Sequence, residues 1–248
     1  MTHQITRHRH EIKRHRLTVK EKTNVTPGMI RILLEGSDLA DFTSLSPDDH
    51  VKLFVQADDG TPAMRDYTPR RFDTGAGTLT LDFAVHDAGP ATRWAIDAAV
   101  GDVLEIGGPR GSVTISPTFD WWLLVGDETA LPAIGRRLEE LPKGTRVITV
   151  VAVAGPEEEQ LFSTETDHQA IWVHRPLGEA ANPEPVLAAL DRIDWPAGDG
   201  FVWIASEAQV ARAVRDHVTS RRNHPKGWLK AAGYWKQGVA DAHEKLED

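Results

Sequence analysis

The chain has 248 residues, 40% hydrophobic and 26% charged, an ordinary globular balance that excludes low-complexity disorder and collagen-like folds. Its formal charge of -9 argues against a general nucleic-acid binder, and no apolar run approaches the roughly 18 residues of a membrane span. With no cysteine, disulfides, thiol catalysis and Cys-held iron–sulfur clusters are ruled out, so redox chemistry would need an organic cofactor or iron held by other ligands.

The length fits one large domain or two modest ones. The basic N-terminus has no apolar stretch behind it, so no signal peptide is read and the expected compartment is the cytoplasm. Across the first ~115 residues, short apolar or β-branched runs (17–19, 30–34, 51–55, 79–85, 103–106 and 113–115) alternate with Gly-, Asp- and Pro-rich turns. That spacing predicts a small antiparallel barrel or sandwich. Residues 87–99 interrupt it with a turn and a short helix, Pro90 standing near its start. Residues 116–120 read as a short linker.

Beyond the linker the pattern becomes strand–helix alternation: strands at 121–125, 146–154, 170–173 and 201–205, helices at 129–141, 185–190 and 207–220. Such alternation predicts a parallel α/β sheet. The domains are therefore placed at 1–117 and 118–248, with residues 228–248 read as an amphipathic helical extension.

The chemistry is placed first at Arg65-Asp66-Tyr67-Thr68-Pro69-Arg70, just after an alternating strand. It offers two guanidinium groups, a phenol and a hydroxyl. A guanidinium forks onto phosphate, an aromatic face stacks on a ring, and a hydroxyl meets a ring nitrogen. A plain turn with solvated arginines accounts for the same residues. Gly89-Pro90-Ala91-Thr92 offers backbone N–H groups at a helix start, either a pyrophosphate seat or an ordinary helix entry. Gly126-Asp127-Glu128-Thr129 joins the first α/β strand to its helix, where open parallel sheets bind ligands. Its acids would repel phosphate there, which suits nicotinamide and ribose or mere helix capping, with Thr129 an N-cap or first-turn residue.

The histidines His3, His8, His10 and His15 lack a completing ligand set, and no metal site is expected. His86, ending a strand just before Gly89, is a candidate cofactor contact or a structural histidine. Arg175 is either a 2′-phosphate contact or a surface arginine. Residues 217–240 carry Arg221, Arg222, Lys226, Lys230 and Lys236 with no acid, an island suited to an anionic ligand or to a solvated helix face. No Gly-x-Ser-x-Gly elbow supports a hydrolase.

Taken in order, 48–53 (DDHVKL), 65–70 (RDYTPR), 89–95 (GPATRWA), 101–102 (GD), 108–112 (GPRGS) and 126–132 (GDETALP) resemble the siderophore-interacting protein family. These are flavin-dependent ferric-siderophore reductases of the ferredoxin-reductase-like superfamily. The resemblance covers nearly the whole chain. It implies a Greek-key β-barrel that binds FAD, followed by an α/β domain that binds NADPH or NADH. It further implies that Arg65 anchors flavin phosphate, that Tyr67 stacks on the isoalloxazine, and that Thr68 sits near N5, making Tyr67 and Thr68 the catalytic pair. Arg70, His86 and Gly89, Pro90, Ala91 and Thr92 join the cofactor site, while Gly126 to Thr129 face the nicotinamide. The ferric chelate would meet Lys52, Arg136 or Arg137, and Lys236. Asp66 departs from the small or hydroxyl residue expected at its position. The implied function is electron transfer from NAD(P)H through FAD to siderophore-bound Fe(III), with no nucleic acid as partner. The rival readings are a flavin reductase feeding another acceptor, and a protein that only binds siderophore or flavin.

Overall fold

The computed structural model describes residues 3–57, 59–85, 89–239 and 244–245. The chain divides into two compact units, one spanning His3–Ser116 and the other carrying Pro117 onward.

In the first unit the strands are β1 (Ile5–Arg9), β2 (Arg14–Thr26), β3 (Met29–Glu35), β4 (Val51–Gln56), β5 (Pro62–Tyr67), β6 (Pro69–Asp73), β7 (Thr78–Ala84), β8 (Val103–Gly107) and β9 (Gly111–Ile115), with helix α1 (Pro90–Asp97) between β7 and β8. Seven of them form an antiparallel sheet in the order β5-β4-β8-β2-β3-β7-β6, and β1 pairs with β9 separately. The edges of this sheet, β5 and β6, are consecutive strands joined by Thr68 alone. Laid flat, six strand spacings of ~4.8 Å would put them about 29 Å apart, whereas two Cα–Cα steps span at most ~7.6 Å. The sheet must therefore roll until its edges meet at Thr68. The ladder does not close there, since β5 bonds only β4 and β6 only β7. The roll is an antiparallel barrel open along one seam.

Inward positions follow the strand period of two: Leu17 and Val19, Ile32 and Leu34, Val51 and Leu53, Leu79, Leu81 and Phe83, Leu104 and Ile106 build one core. Three strands escape the sequence reading. β1, β5 and β6 carry few apolar residues, because β1 belongs to a small separate sheet and the other two are the seam edges.

The second unit holds β10 (Trp121–Asp127), α2 (Leu131–Glu140), β11 (Arg146–Val153), β12 (Asp167–His174), α3 (Glu184–Asp191), β13 (Gly200–Glu207), α4 (Ala208–Arg221), β14 (Leu229–Trp235) and the short β15 (Glu244–Lys245). Their sheet order is β12-β11-β10-β13-β14-β15, parallel except for the last pair. The chain runs outward from β10 to β12, then returns to β13 on the other side of β10. This reversal makes a topological switch point between β10 and β13, where open α/β sheets bind ligands at the strands' carboxyl ends.

α3 and α4 pack on one sheet face over Leu123, Val125, Ile148, Val150, Val202 and Ile204. On the opposite face, Trp122 stacks with Phe201 and Phe119, and Arg137 of α2 lies over the Trp122 ring. Residues 229–235 form β14, not the expected helix; Ala231 and Gly233 are buried between partly exposed neighbours, a period of two. Lys236 and Val239 are bridged across a turn and Glu244–Lys245 form β15, so these positions are not helical either; residues 240–243 and 246–248 lie outside the described residues.

Candidate functional site

In the barrel unit the candidate groups gather at the seam. β4 and β5 pair with Lys52 opposite Asp66 and Leu53 opposite Arg65. The unexpected acid at position 66 therefore has a partner: Lys52 Nζ donates to Asp66 Oδ1 at 2.7 Å. Arg65 projects from the next position and donates to its neighbour's carbonyl, Met64 O, at 2.8 Å.

Tyr67 closes β5. Its ring lies 4.4 Å from that of Phe83, which in turn meets Trp94 of α1 at 5.8 Å. The residue as a whole is half-buried, but its phenol oxygen is at the buried end and hydrogen-bonds the Thr92 side chain. Burial pushes the phenol pKa up to about 12, against the opposing pull of the Thr92 bond and the Arg65 charge. The phenol is thus a neutral group throughout the physiological range. Thr68, between the two seam strands, is buried, and among the described residues its hydroxyl has no hydrogen-bond partner.

Tyr67 reaches Thr92 because α1 starts beside it. Pro90 opens the helix, and Gly89 in front of it supplies no side-chain cap. A helix start leaves its first N–H groups without intrahelical partners, and a Cβ at Gly89 would meet nothing within 4 Å. Arg65, Tyr67, Thr68 and the Gly89–Thr92 turn are therefore one neighbourhood. A guanidinium, uncapped helix N–H groups and an unpartnered hydroxyl beside an aromatic ring fit a flat dinucleotide with a pyrophosphate, the composition of FAD. His86 lies outside the described residues.

Arg70 is buried with Nε 3.9 Å from Asp82 Oδ2, and Arg31 forks onto the same carboxylate with two bonds of 2.7 Å. One carboxylate between two guanidinium groups ties β6 to β7 and β3. The histidine-rich start is equally structural. His8 bonds Thr114 at 3.0 Å, and His10 bonds Ser112 at 2.7 Å, whose hydroxyl donates to the buried Asp49.

In the α/β unit the switch point is lined by carboxylates that are already occupied. Asp127 Oδ1 accepts from the Thr129 N–H and hydroxyl, while Oδ2 accepts from Glu207 N and from Trp235 Nε1, both at 2.8 Å. Thr129 is thus held by the turn rather than capping α2, which starts two residues later behind Ala130. Gly126 serves packing: a Cβ there would stand 2.6 Å from Ala130 Cβ and 3.0 Å from Ala205 O, so the helix approaches the strand only over glycine.

Glu128 is buried and receives a bidentate Arg175 at 3.2 and 2.6 Å. Burial, and next the Asp127 charge, push the Glu128 carboxyl above its ordinary range, and Arg175 pulls it back. Arg175 is not the surface arginine expected; it is buried, and its fork is filled. Sequence reasoning missed Glu207 as a site residue. Fully buried, it caps α4 through Gln209 N and Val210 N and also accepts from Gln237 N at 3.2 Å. Its only signal was an acid at a strand–helix junction.

The basic positions named for the chelate are not gathered into one group in this unit. Arg136 is buried on α2 with Glu140 at 2.8 Å, and Arg137 covers Trp122, both on the sheet face opposite α4. Lys236 is exposed just past the carboxyl end of β14. The cationic island also divides. Arg221 and Arg222 lie at the far end of α4 near Asp191, and the seven residues of β14 carry the chain about 20 Å to the other edge of the sheet.

Residues 119–238 match the family model of the siderophore-interacting protein, and residues 18–62 and 55–113 match that of the siderophore-interacting FAD-binding domain. The chain belongs to the siderophore-interacting protein family. A family relative from Escherichia coli strain K12, the NADPH-dependent ferric-chelate reductase, is 32% identical over 92% of this chain and 94% of its own. The ferric vibriobactin reductase of Vibrio cholerae is 28% identical over 88% and 87% of the two chains. The crystal structure of a siderophore utilization protein from T. fusca superposes with a TM-score of 0.88 at 36% identity, covering 96% of this chain and 98% of that one. No helix among the described residues is long and apolar enough to cross a membrane.

Proposed function

We propose that this member of the siderophore-interacting family is a ferric-chelate reductase, taking electrons from NADPH or NADH through FAD to Fe(III) held by a siderophore. The observation that carries the reading is the seam of the barrel, where Arg65, Tyr67, the start of α1 without a side-chain cap and a Thr68 hydroxyl unpartnered among the described residues adjoin. When bound, FAD supplies the exchange between a two-electron hydride donor and a one-electron acceptor.

Around it the chain's own residues do the positioning. The Arg65 guanidinium and the N–H groups at the start of α1 hold phosphate. Tyr67, backed by Phe83 and fixed by Thr92, presents a neutral ring, and Thr68 offers a hydroxyl to a ring nitrogen. The Gly126–Thr129 turn, made rigid by the four bonds to Asp127, receives the nicotinamide end of the donor. Lys236, exposed past the end of β14, attracts the chelate; Arg136, buried and paired with Glu140, is left out of that set, and Lys52 is engaged with Asp66. Reduction releases the metal because hard oxygen chelators hold Fe(III) far better than Fe(II). A cytoplasmic location goes with this reading, since the nicotinamide donor is an intracellular pool.

The test is spectroscopic. Purified protein loaded with FAD should bleach with NADPH or NADH under anaerobic conditions and regain its colour on addition of a ferric siderophore, with Fe(II) trapped by a ferrous-selective dye. Bleaching that only free flavin or another acceptor reverses would indicate a flavin reductase. Protein that takes up no FAD would leave a binding role.

A further inference from the structure

One margin of the parallel sheet stands open among the described residues. β12 is its outer strand, pairs only with β11, and runs its eight residues along that strand without a bulge. Asp167 N donates to Thr145 O and Arg175 N to Val153 O, so the odd positions bond inward. The N–H and C=O groups of His168, Ala170, Trp172 and His174 therefore face away from the sheet, over about 20 Å. Sheet edges are commonly blunted by lysine, proline or a bulge, and β12 has none of these. Its centre, residues 169–173, is uncharged.

A groove of about 450 Å³ lies beside this edge. Gln169, Ile171 and Val173, alternate residues on one face of β12, make one wall, and Pro185 and Ala189, one turn apart on α3, make the other. Arg146 opens β11 opposite the first residue of β12, so it marks the amino end of the groove. α3 carries the chain back to that end before the parallel strand β13 begins, and Arg192 follows α3 there. Both guanidinium groups are exposed, line the groove, and make no side-chain hydrogen bond or ion pair among the described residues. Asp194 is the one acid in the lining, which leaves it cationic; Asp167 stands beside Arg146 outside the lining.

We infer that this groove receives the C-terminal segment of a partner protein. The segment adds to β12 as an antiparallel strand, with apolar side chains at alternate positions toward α3. Running antiparallel, it ends at the amino end of β12, where Arg146 and Arg192 take its terminal carboxylate. Backbone bonds to the open edge give affinity, alternate side chains give selectivity, and the two guanidinium groups require a free chain end. None of these residues belongs to the cofactor or chelate positions, so the inference stands apart from the reductase reading.

The test is a library of random hexapeptides with free C-termini, anchored through their N-termini and probed with the FAD-loaded full chain. Enrichment of apolar residues at alternate positions is expected. Amidating the terminus of a selected peptide should weaken it about tenfold in calorimetric titration, the loss of a charge-assisted contact. Arg146→Gln and Arg192→Gln should each weaken the free acid and leave the amide unchanged. Hydrogen exchange over residues 167–175 should slow when the peptide is bound. A library without enrichment, equal affinity of acid and amide, or acid affinity untouched by both arginine variants overturns the inference. Concentration-dependent dimerisation that protects residues 167–175 without peptide overturns it as well, giving the edge to a second copy of the chain. Bleaching and recolouring of the flavin are measured separately, so each of these failures leaves the reductase reading standing.

Discussion

The seam of the barrel and the carboxyl edge of the parallel sheet both gather charged and polar groups, but in opposite states. At the edge, Asp127, Glu128 and Glu207 are buried and their oxygens are filled by Thr129, Trp235, Arg175, Gln209 and Gln237. At the seam, the Thr68 hydroxyl has no partner among the described residues, and the start of α1 has no side-chain cap. Acids that looked like ligand contacts brace the turn after β10. A buried carboxylate with a full set of donors stabilises its surroundings and has nothing left to offer a substrate.

This difference is easiest to break at Arg175. Arg175→Ala would leave the Glu128 carboxylate buried beside Asp127 without its counter-ion and should cost about 4 kcal/mol. Denaturant unfolding of the FAD-free protein would measure it. A loss below about 1 kcal/mol would mean that Arg175 is available for a ligand after all.

Asp127→Asn comes next. An amide has one accepting oxygen, so its NH2 must face either the Glu207 and Trp235 donors or the two Thr129 donors, and a loss of about 2 kcal/mol is expected in the same assay. Quenching of Trp235 fluorescence should change with it.

At the seam the pattern inverts. Arg65→Ala should alter the stability of the FAD-free protein by no more than about 0.5 kcal/mol. It should weaken FAD binding by roughly ten- to a hundredfold, the worth of a charged hydrogen bond. Flavin fluorescence titration reads the second effect. A large stability loss with unaltered FAD affinity would reverse the contrast between the two regions.

A last test lies at alkaline pH. The chain has two tyrosines, Tyr67 and Tyr234, so tyrosinate absorbance resolves them. The folded pKa of Tyr67, about 12, is raised above the ordinary 10, so its contribution to stability is full below pH 10 and lost as pH rises toward 12. Tyr67→Phe should remove the late step of the titration and flatten that part of the stability profile. A single step near pH 10 in the wild type would show that the phenol is not desolvated.

Much of this was readable from one sequence. The apolar runs of period two located the barrel core, strand–helix alternation located the parallel sheet, and the residues grouped at 65–68 and 89–92 meet in the barrel through Tyr67 and Thr92. Side-chain type and local spacing determine such features, because strand burial and turn chemistry are local properties. Other things were decided only when distant segments met. Residues 229–235 became a strand because β13 offered an open edge, and Arg175 became a buried counter-ion because Glu128, 47 positions earlier, was turned toward it. Thr68 stood at a seam because seven strands rolled until the first and last met. Which charges are consumed by the fold and which stay available to a ligand depends on partners far apart in the chain, and a linear sequence does not record those distances.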